Sequence, residues 1–155
     1  MENKITKSKF WAKRVDETKI KKILERKRGI VYLFTGDGEG KSTAALGLAL
    51  RALGHGKSVV VIQFMKGRKY VGENQVQNIL KNLEVYQYGK EQFVDLNKLD
   101  ERDYQLAREG FEFAKQVMKK RPAVLILDEI NLIVDSGLLK VEEVLKLINE
   151  TPNGM

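Results

Sequence analysis

Two hydrophobic patterns alternate along the chain: short unbroken apolar runs, and stretches whose apolar positions recur every three or four residues. Residues 30–34 (IVYLF), 58–65 (SVVVIQFM), 83–88 (LEVYQY) and 123–129 (AVLILDE) are of the first kind and read as four strands. Their near-continuous Val, Ile and Leu is the pattern of strands covered on both faces, as in a parallel sheet. Residues 41–53 are rich in helix formers and apolar on nearly every face, which predicts a helix packed on that sheet, with Gly54 as its C-cap. A second helix is expected to start at an N-cap, Asp100, and to present Tyr104, Ala107, Phe111, Ala114, Val117 and Met118 to the core before Pro122 stops it. Residues 141–150 form a short amphipathic helix, whereas 66–75 and 89–99 have no such period and read as loops. Strands alternating with helices imply right-handed βαβ units and a three-layer α/β domain. Ahead of it, Val15, Ile20, Ile23 and Leu24 fall near helical spacing and predict an amphipathic helix over 16–27. The division expected is therefore an arm, 1–28, and a domain, 29–155.

Charge separates the same two parts. Of the net charge of +7, all resides in residues 1–28, where eleven Lys and Arg meet four acids. The other 127 residues balance at 17 basic against 17 acidic side chains. A basic arm suits a nucleic acid, an anionic ligand or a solvated tail, and its KSKFWAKR at 7–14 interleaves aromatic with basic residues. The chain has no cysteine and one histidine, His55, set in a turn between two glycines. Thiolate chemistry and Cys- or His-based metal sites are thereby excluded, and any metal must be a hard cation on oxygen ligands. There is no apolar run of membrane-spanning length and no apolar signal core at the N-terminus, so a soluble, cytoplasmic protein is expected.

The chemistry concentrates where the first expected strand meets the first helix. Phe34–Ala45, FTGDGEGKSTAA, places a glycine-rich turn and Lys-Ser-Thr at a helix start, the setting of a phosphate-binding loop. Backbone N–H groups and the helix N-terminus attract phosphate oxygens, Lys41 neutralises their charge, and Ser42 can ligate Mg²⁺. The spacing is one residue short, because Gly36 and Gly40 enclose only Asp37, Gly38 and Glu39, and Thr35 takes the place of the usual first glycine. Later in the chain, Asp128 and Glu129 end an apolar strand, where a carboxylate can hold Mg²⁺ directly or through water. They alternate across the strand's end, so both need not face the metal; their alternative is a helix-start or surface pair. Together these motifs predict Mg²⁺-nucleotide binding and leave the reaction open.

Residues 28–67, RGIVYLFTGDGEGKSTAALGLALRALGHGKSVVVIQFMKG, together with LILDEIN at 125–131, resemble the P-loop type of ATP:corrinoid (cob(I)alamin) adenosyltransferases. That family's loop is itself shortened, to Gly-x-Gly-x-Gly-Lys-Thr/Ser. The resemblance implies a P-loop NTPase-like (RecA-like), mostly parallel sheet, and transfer of the 5′-deoxyadenosyl group of ATP to a Co(I) corrinoid with release of triphosphate. It implies catalytic roles for Lys41, Glu129 and Phe93, and nucleotide contacts from Gly36, Asp37, Gly38, Glu39, Gly40, Lys41, Ser42, Thr43 and Arg51. Mg²⁺ would be held by Ser42, Glu129 and Asp128. Phe93, in YGKEQFVD at 88–95, would press on the corrin face, its alternative being a core or loop anchor; Arg51 has the alternative of a surface helix residue. The basic N-terminal helix would close over the site of a partner subunit in a homodimer, with a flavoprotein as reductant. Members of the family continue with a strand ending in Thr-Gly-Arg and a tail, so the C-terminus is expected to be short. Two other readings stay open: a P-loop ATPase or kinase, and a nucleotide-gated module that uses the arm on nucleic acid.

Overall fold

The structure, a computed structural model, describes residues 29–37, 40–92, 94–152 and 155. The expected N-terminal helix, Gly38, Glu39 and Phe93 lie outside the described residues. In chain order the elements are α1 (Lys41–Gly54), β1 (Val59–Phe64), α2 (Gly72–Val76), β2 (Leu83–Tyr88), α3 (Glu101–Lys120), β3 (Val124–Asp128), α4 (Ile130–Asp135) and α5 (Val141–Asn149). The three strands form a parallel sheet in the order β2-β1-β3. Among the described residues no helix is long and apolar enough to cross a membrane.

Because strand side chains alternate, β1 feeds two cores. Val60, Ile62 and Phe64 point to one face, against Phe111 and Ala114 of α3, Ile133 of α4 and Leu147 of α5. Val59 and Val61 point to the other, with Val85 and Ile126, beneath Ala49 of α1. All six residues of β1 are buried, as an unbroken apolar run at the centre of a covered sheet requires. This is the three-layer arrangement expected. Asp100 caps α3 as predicted: its side chain accepts from Asp103 N at 3.1 Å, while Asp103 Oδ2 accepts from Asp100 N at 3.0 Å.

Four expectations are corrected. The run 30–34 is not a strand: Ile30, Val31, Tyr32 and Leu33 are all more than half exposed. A strand needs a ladder partner about 4.8 Å away, and this run faces β3 across a cavity of about 510 Å³ lined by Ile30, Leu33, Leu125, Leu127, Val144 and Ile148. Just past β3, Asn131 Nδ2 of α4 donates to Phe34 O at 3.1 Å. Helix α1 packs on the sheet as expected, Ala49 buried and Ala45, Leu46, Ala52 and Leu53 partly so, while Leu50 is exposed. Its end lies one residue later, with Gly54 the last helical residue and His55, exposed, as the C-cap. Tyr104 stands outside the buried stripe of α3. The loop expected over 66–75 contains the start of α2, and α4 follows β3 where no element was expected; both helices are too brief for a periodic signal.

Candidate functional site

Parallel registration brings a polar row to the C-terminal edge of the sheet. Gln63 pairs with Gln87 of β2 on one side and with Asp128 of β3 on the other. Gln63 lies on the α1 face, two residues on from Val61, as does Asp128, two on from Ile126. Gln63 Nε2 donates to Asp128 Oδ2 at 3.2 Å and to Glu73 Oε1 of α2 at 3.1 Å; Gln87 Nε2 donates to Gln63 Oε1 at 3.0 Å. Gln63 is 1% exposed and Asp128 9%, so these bonds act where water cannot replace them.

Above that row stands the start of α1. Gly40, its N-cap, has φ 108°, a left-handed conformation that glycine adopts without strain. It offers no side chain to the first turn, whose leading N–H groups are left for an anion. Ala44 N bonds back to Gly40 O at 2.8 Å, so the helix proper begins there. Lys41 Nζ donates to Gly36 O at 2.7 Å, folded along the loop. Ser42 Oγ donates to Asp128 Oδ1 at 2.8 Å across 86 residues of sequence. The loop serine and the strand-end aspartate are thus brought into direct contact.

A lysine that sequence reasoning passed over completes the cluster. Lys66 Nζ lies 2.7 Å from Asp128 Oδ2, 3.2 Å from Glu129 Oε1 and 3.3 Å from Ser42 Oγ. Burial works against its charge, but the hydrogen bond and charge of Asp128, reinforced by Glu129, hold its pKa above the ordinary lysine value. Backbone conformation aims these groups. Glu129 leaves the strand at φ 64°, which breaks the expected alternation and brings its carboxylate to the same ammonium as Asp128. Met65, just before Lys66, has φ 55°. Two non-glycine residues in the left-handed region, each costing on the order of 1–3 kcal/mol, flank one cluster, which is characteristic of functional sites. Beyond Lys66, Gly67 crosses Gly89 so closely that a Cβ on Gly67 would lie 2.3 Å from Gly89 O. The ends of β1 and β2 therefore meet backbone to backbone.

Signals for the missed residues were present. Gln63 is the polar residue inside an apolar strand, and Lys66 follows that strand's end. Of the other expected nucleotide contacts, Gly36, Asp37 and Thr43 are exposed beside the loop. Arg51 is exposed farther along α1 and lines the cavity with Lys41 and Ser42.

The oxygen set suits a hard divalent cation, since one hydroxyl and two carboxylates already converge on a single positive charge. Among the described residues no group of three or more His, Cys, Asp or Glu side chains surrounds a common point. A metal bound here would complete its shell with phosphate oxygens and water.

A sequence model of the ATP:corrinoid adenosyltransferase BtuR/CobO/CobP family matches residues 27–155. The chain belongs to this family. It is 39% identical over 128 residues to the corrinoid adenosyltransferase of Escherichia coli (strain K12), covering 81% of this chain and 64% of that protein. It is 35% identical over 130 residues to the corrinoid adenosyltransferase CobA of Salmonella typhimurium, covering 83% and 65%. A third relative, the corrinoid adenosyltransferase of a Sinorhizobium species, is 31% identical over 147 residues, covering 92% and 67%. The chain thus spans about two thirds of the length of these curated relatives.

Proposed function

We propose that this chain transfers the 5′-deoxyadenosyl group of ATP to the Co(I) centre of a corrinoid. Cobalt supplies the electron pair for the new Co–C5′ bond, the C5′–O bond breaks, and triphosphate leaves with its electrons. The observation that carries this reading is the contact between Ser42 and Asp128 at 2.8 Å, which joins the shortened phosphate loop to the strand-end carboxylates in a member of this family.

Co(I) is a strong nucleophile and needs no general base, so the work of the protein is alignment and stabilisation of the leaving group. Lys41, the N-terminus of α1 and the backbone around Gly36, Gly38 and Gly40 hold the triphosphate, with Asp37, Glu39, Thr43 and Arg51 around the nucleotide. Bound by Ser42, Asp128 and Glu129, Mg²⁺ would neutralise charge on the departing triphosphate. Gln63 keeps the Asp128 carboxylate turned toward Ser42. Phe93 presses on the corrin face and excludes water from it. The protein acts in the cytoplasm as a homodimer, the basic arm of one subunit closing over the site of the other, with a flavoprotein supplying the electrons that form Co(I).

The test is anaerobic incubation of the chain with MgATP and chemically reduced cob(I)alamin, following the corrinoid spectrum and assaying triphosphate. Adenosylcobalamin with equimolar triphosphate is expected, and Lys41→Ala should bind ATP weakly and lose turnover. Orthophosphate formed without adenosylcobalamin would overturn the reading in favour of an ATPase.

A further inference from the structure

The carboxylates assigned above to a divalent cation are held by a lysine. Lys66 has three N–H donors and three oxygen partners, Asp128 Oδ2, Glu129 Oε1 and Ser42 Oγ, between 2.7 and 3.3 Å. Magnesium would take the same oxygens at about 2.0–2.1 Å, so the ammonium and the metal claim one position. Two positive charges that close repel strongly in a half-buried site, and one must leave.

The local construction lets the ammonium leave while its backbone stays. Lys66 is 29% exposed, and its four-carbon stem is free to swing. The chain on either side is pinned, by Met65 at φ 55° before it and by the Gly67–Gly89 crossing after it. Within reach of the stem is the start of α1, because Ser42 is already a partner and Lys41 is its neighbour. A phosphate chain bound at that helix start lies beside the displaced charge.

We propose that Lys66 is a built-in cation that competes with the divalent metal for the cage of Ser42, Asp128 and Glu129, and that on displacement its ammonium moves to the triphosphate. The second half rests on the nucleotide-binding reading above; the first concerns only this chain and a bare metal ion. The consequence is coupling. Metal alone must displace an ammonium paired with two carboxylates, whereas metal with triphosphate gives that ammonium a polyanion in exchange, so the two ligands bind cooperatively.

The experiment is a titration of the full chain with Mn²⁺ in the absence of nucleotide, read by electron paramagnetic resonance, in wild type, Lys66→Gln and Asp128→Asn. Lys66→Gln keeps a hydrogen-bond donor for Asp128 and removes the charge. It should bind Mn²⁺ at least about tenfold more tightly than wild type and bind inorganic tripolyphosphate at least about tenfold more weakly. Asp128→Asn should lose Mn²⁺ binding. Mn²⁺ affinity unchanged or reduced in Lys66→Gln would make Lys66 a scaffold for Asp128 and overturn the proposal. The wild-type chain provides a reading that needs no substitution: Mn²⁺ should raise amine-selective labelling of Lys66, and tripolyphosphate added with it should suppress that labelling. Labelling indifferent to Mn²⁺ overturns the proposal equally. Failure of adenosyl transfer with these binding results intact would instead remove the functional reading and leave the competition standing.

Discussion

Two apolar runs of similar composition, VVVIQF in β1 and IVYLF at 30–34, end in opposite circumstances. Every residue of β1 is buried between two ladder partners and two helical layers. The run 30–34 has neither ladder, and Leu33 is 70% exposed. Both lead into the same site, β1 to Gln63 and Lys66, and 30–34 to the glycine loop. The difference teaches that an apolar run specifies a demand for burial, while neighbours on both edges decide whether it is met. The Gln63 and Lys66 side of the site consequently hangs from the central, fully buried strand of the sheet, and the loop side from a segment without a ladder.

The largest expected effect lies in β1. Phe64→Ala removes a fully buried ring packed on α3 and should destabilise by about 3–5 kcal/mol in urea unfolding. Gln63→Leu keeps the volume but strips partners from Gln87 and from one oxygen of Asp128. A loss of about 1–3 kcal/mol is expected, with weaker nucleotide binding measured by calorimetry because Asp128 loses one of the three partners that orient it. At the other run, Leu33→Ala should change stability by no more than about 0.5 kcal/mol. A loss of about 2 kcal/mol or more would break the comparison, since it would mean that the run docks on the sheet.

The smallest effect concerns the segment between β2 and α3. Lys90 Nζ lies 2.6 Å from Asp100 Oδ2 and 3.0 Å from the Asp103 carboxylate, tying the start of the 89–99 loop to the cap of α3. The hydrogen bond from Lys90 holds the Asp100 pKa below its ordinary value, and the bonds to Asp100 and Asp103 hold that of Lys90 above its own. For the depressed Asp100, the contribution is complete above the ordinary aspartate pKa and is lost as pH falls through the lowered one. For the raised Lys90, it is complete below the ordinary lysine pKa and is lost as pH rises through the elevated one. Amide exchange in the loop, corrected for intrinsic rate, should therefore be flat between about pH 4 and pH 10 and accelerate outside that window. Acceleration within the window would break the link between Lys90 and the loop's order.

Local pattern alone determined the long helices, three of the four expected strands, the Asp100 cap and the presence of a glycine loop at a helix start and of an acid pair at a strand end. Each of these depends on interactions within a few residues, on periodicity, or on a motif whose chemistry is local. The contacts that make the site were decided only by tertiary structure. Strand register set Gln63 between Gln87 and Asp128, and left-handed turns at Met65 and Glu129 aimed Lys66 and a second carboxylate at one point. No periodicity encodes a register between strands 24 and 65 residues apart. The fate of 30–34 belongs to the same class, because a strand exists only when another strand supplies its hydrogen bonds.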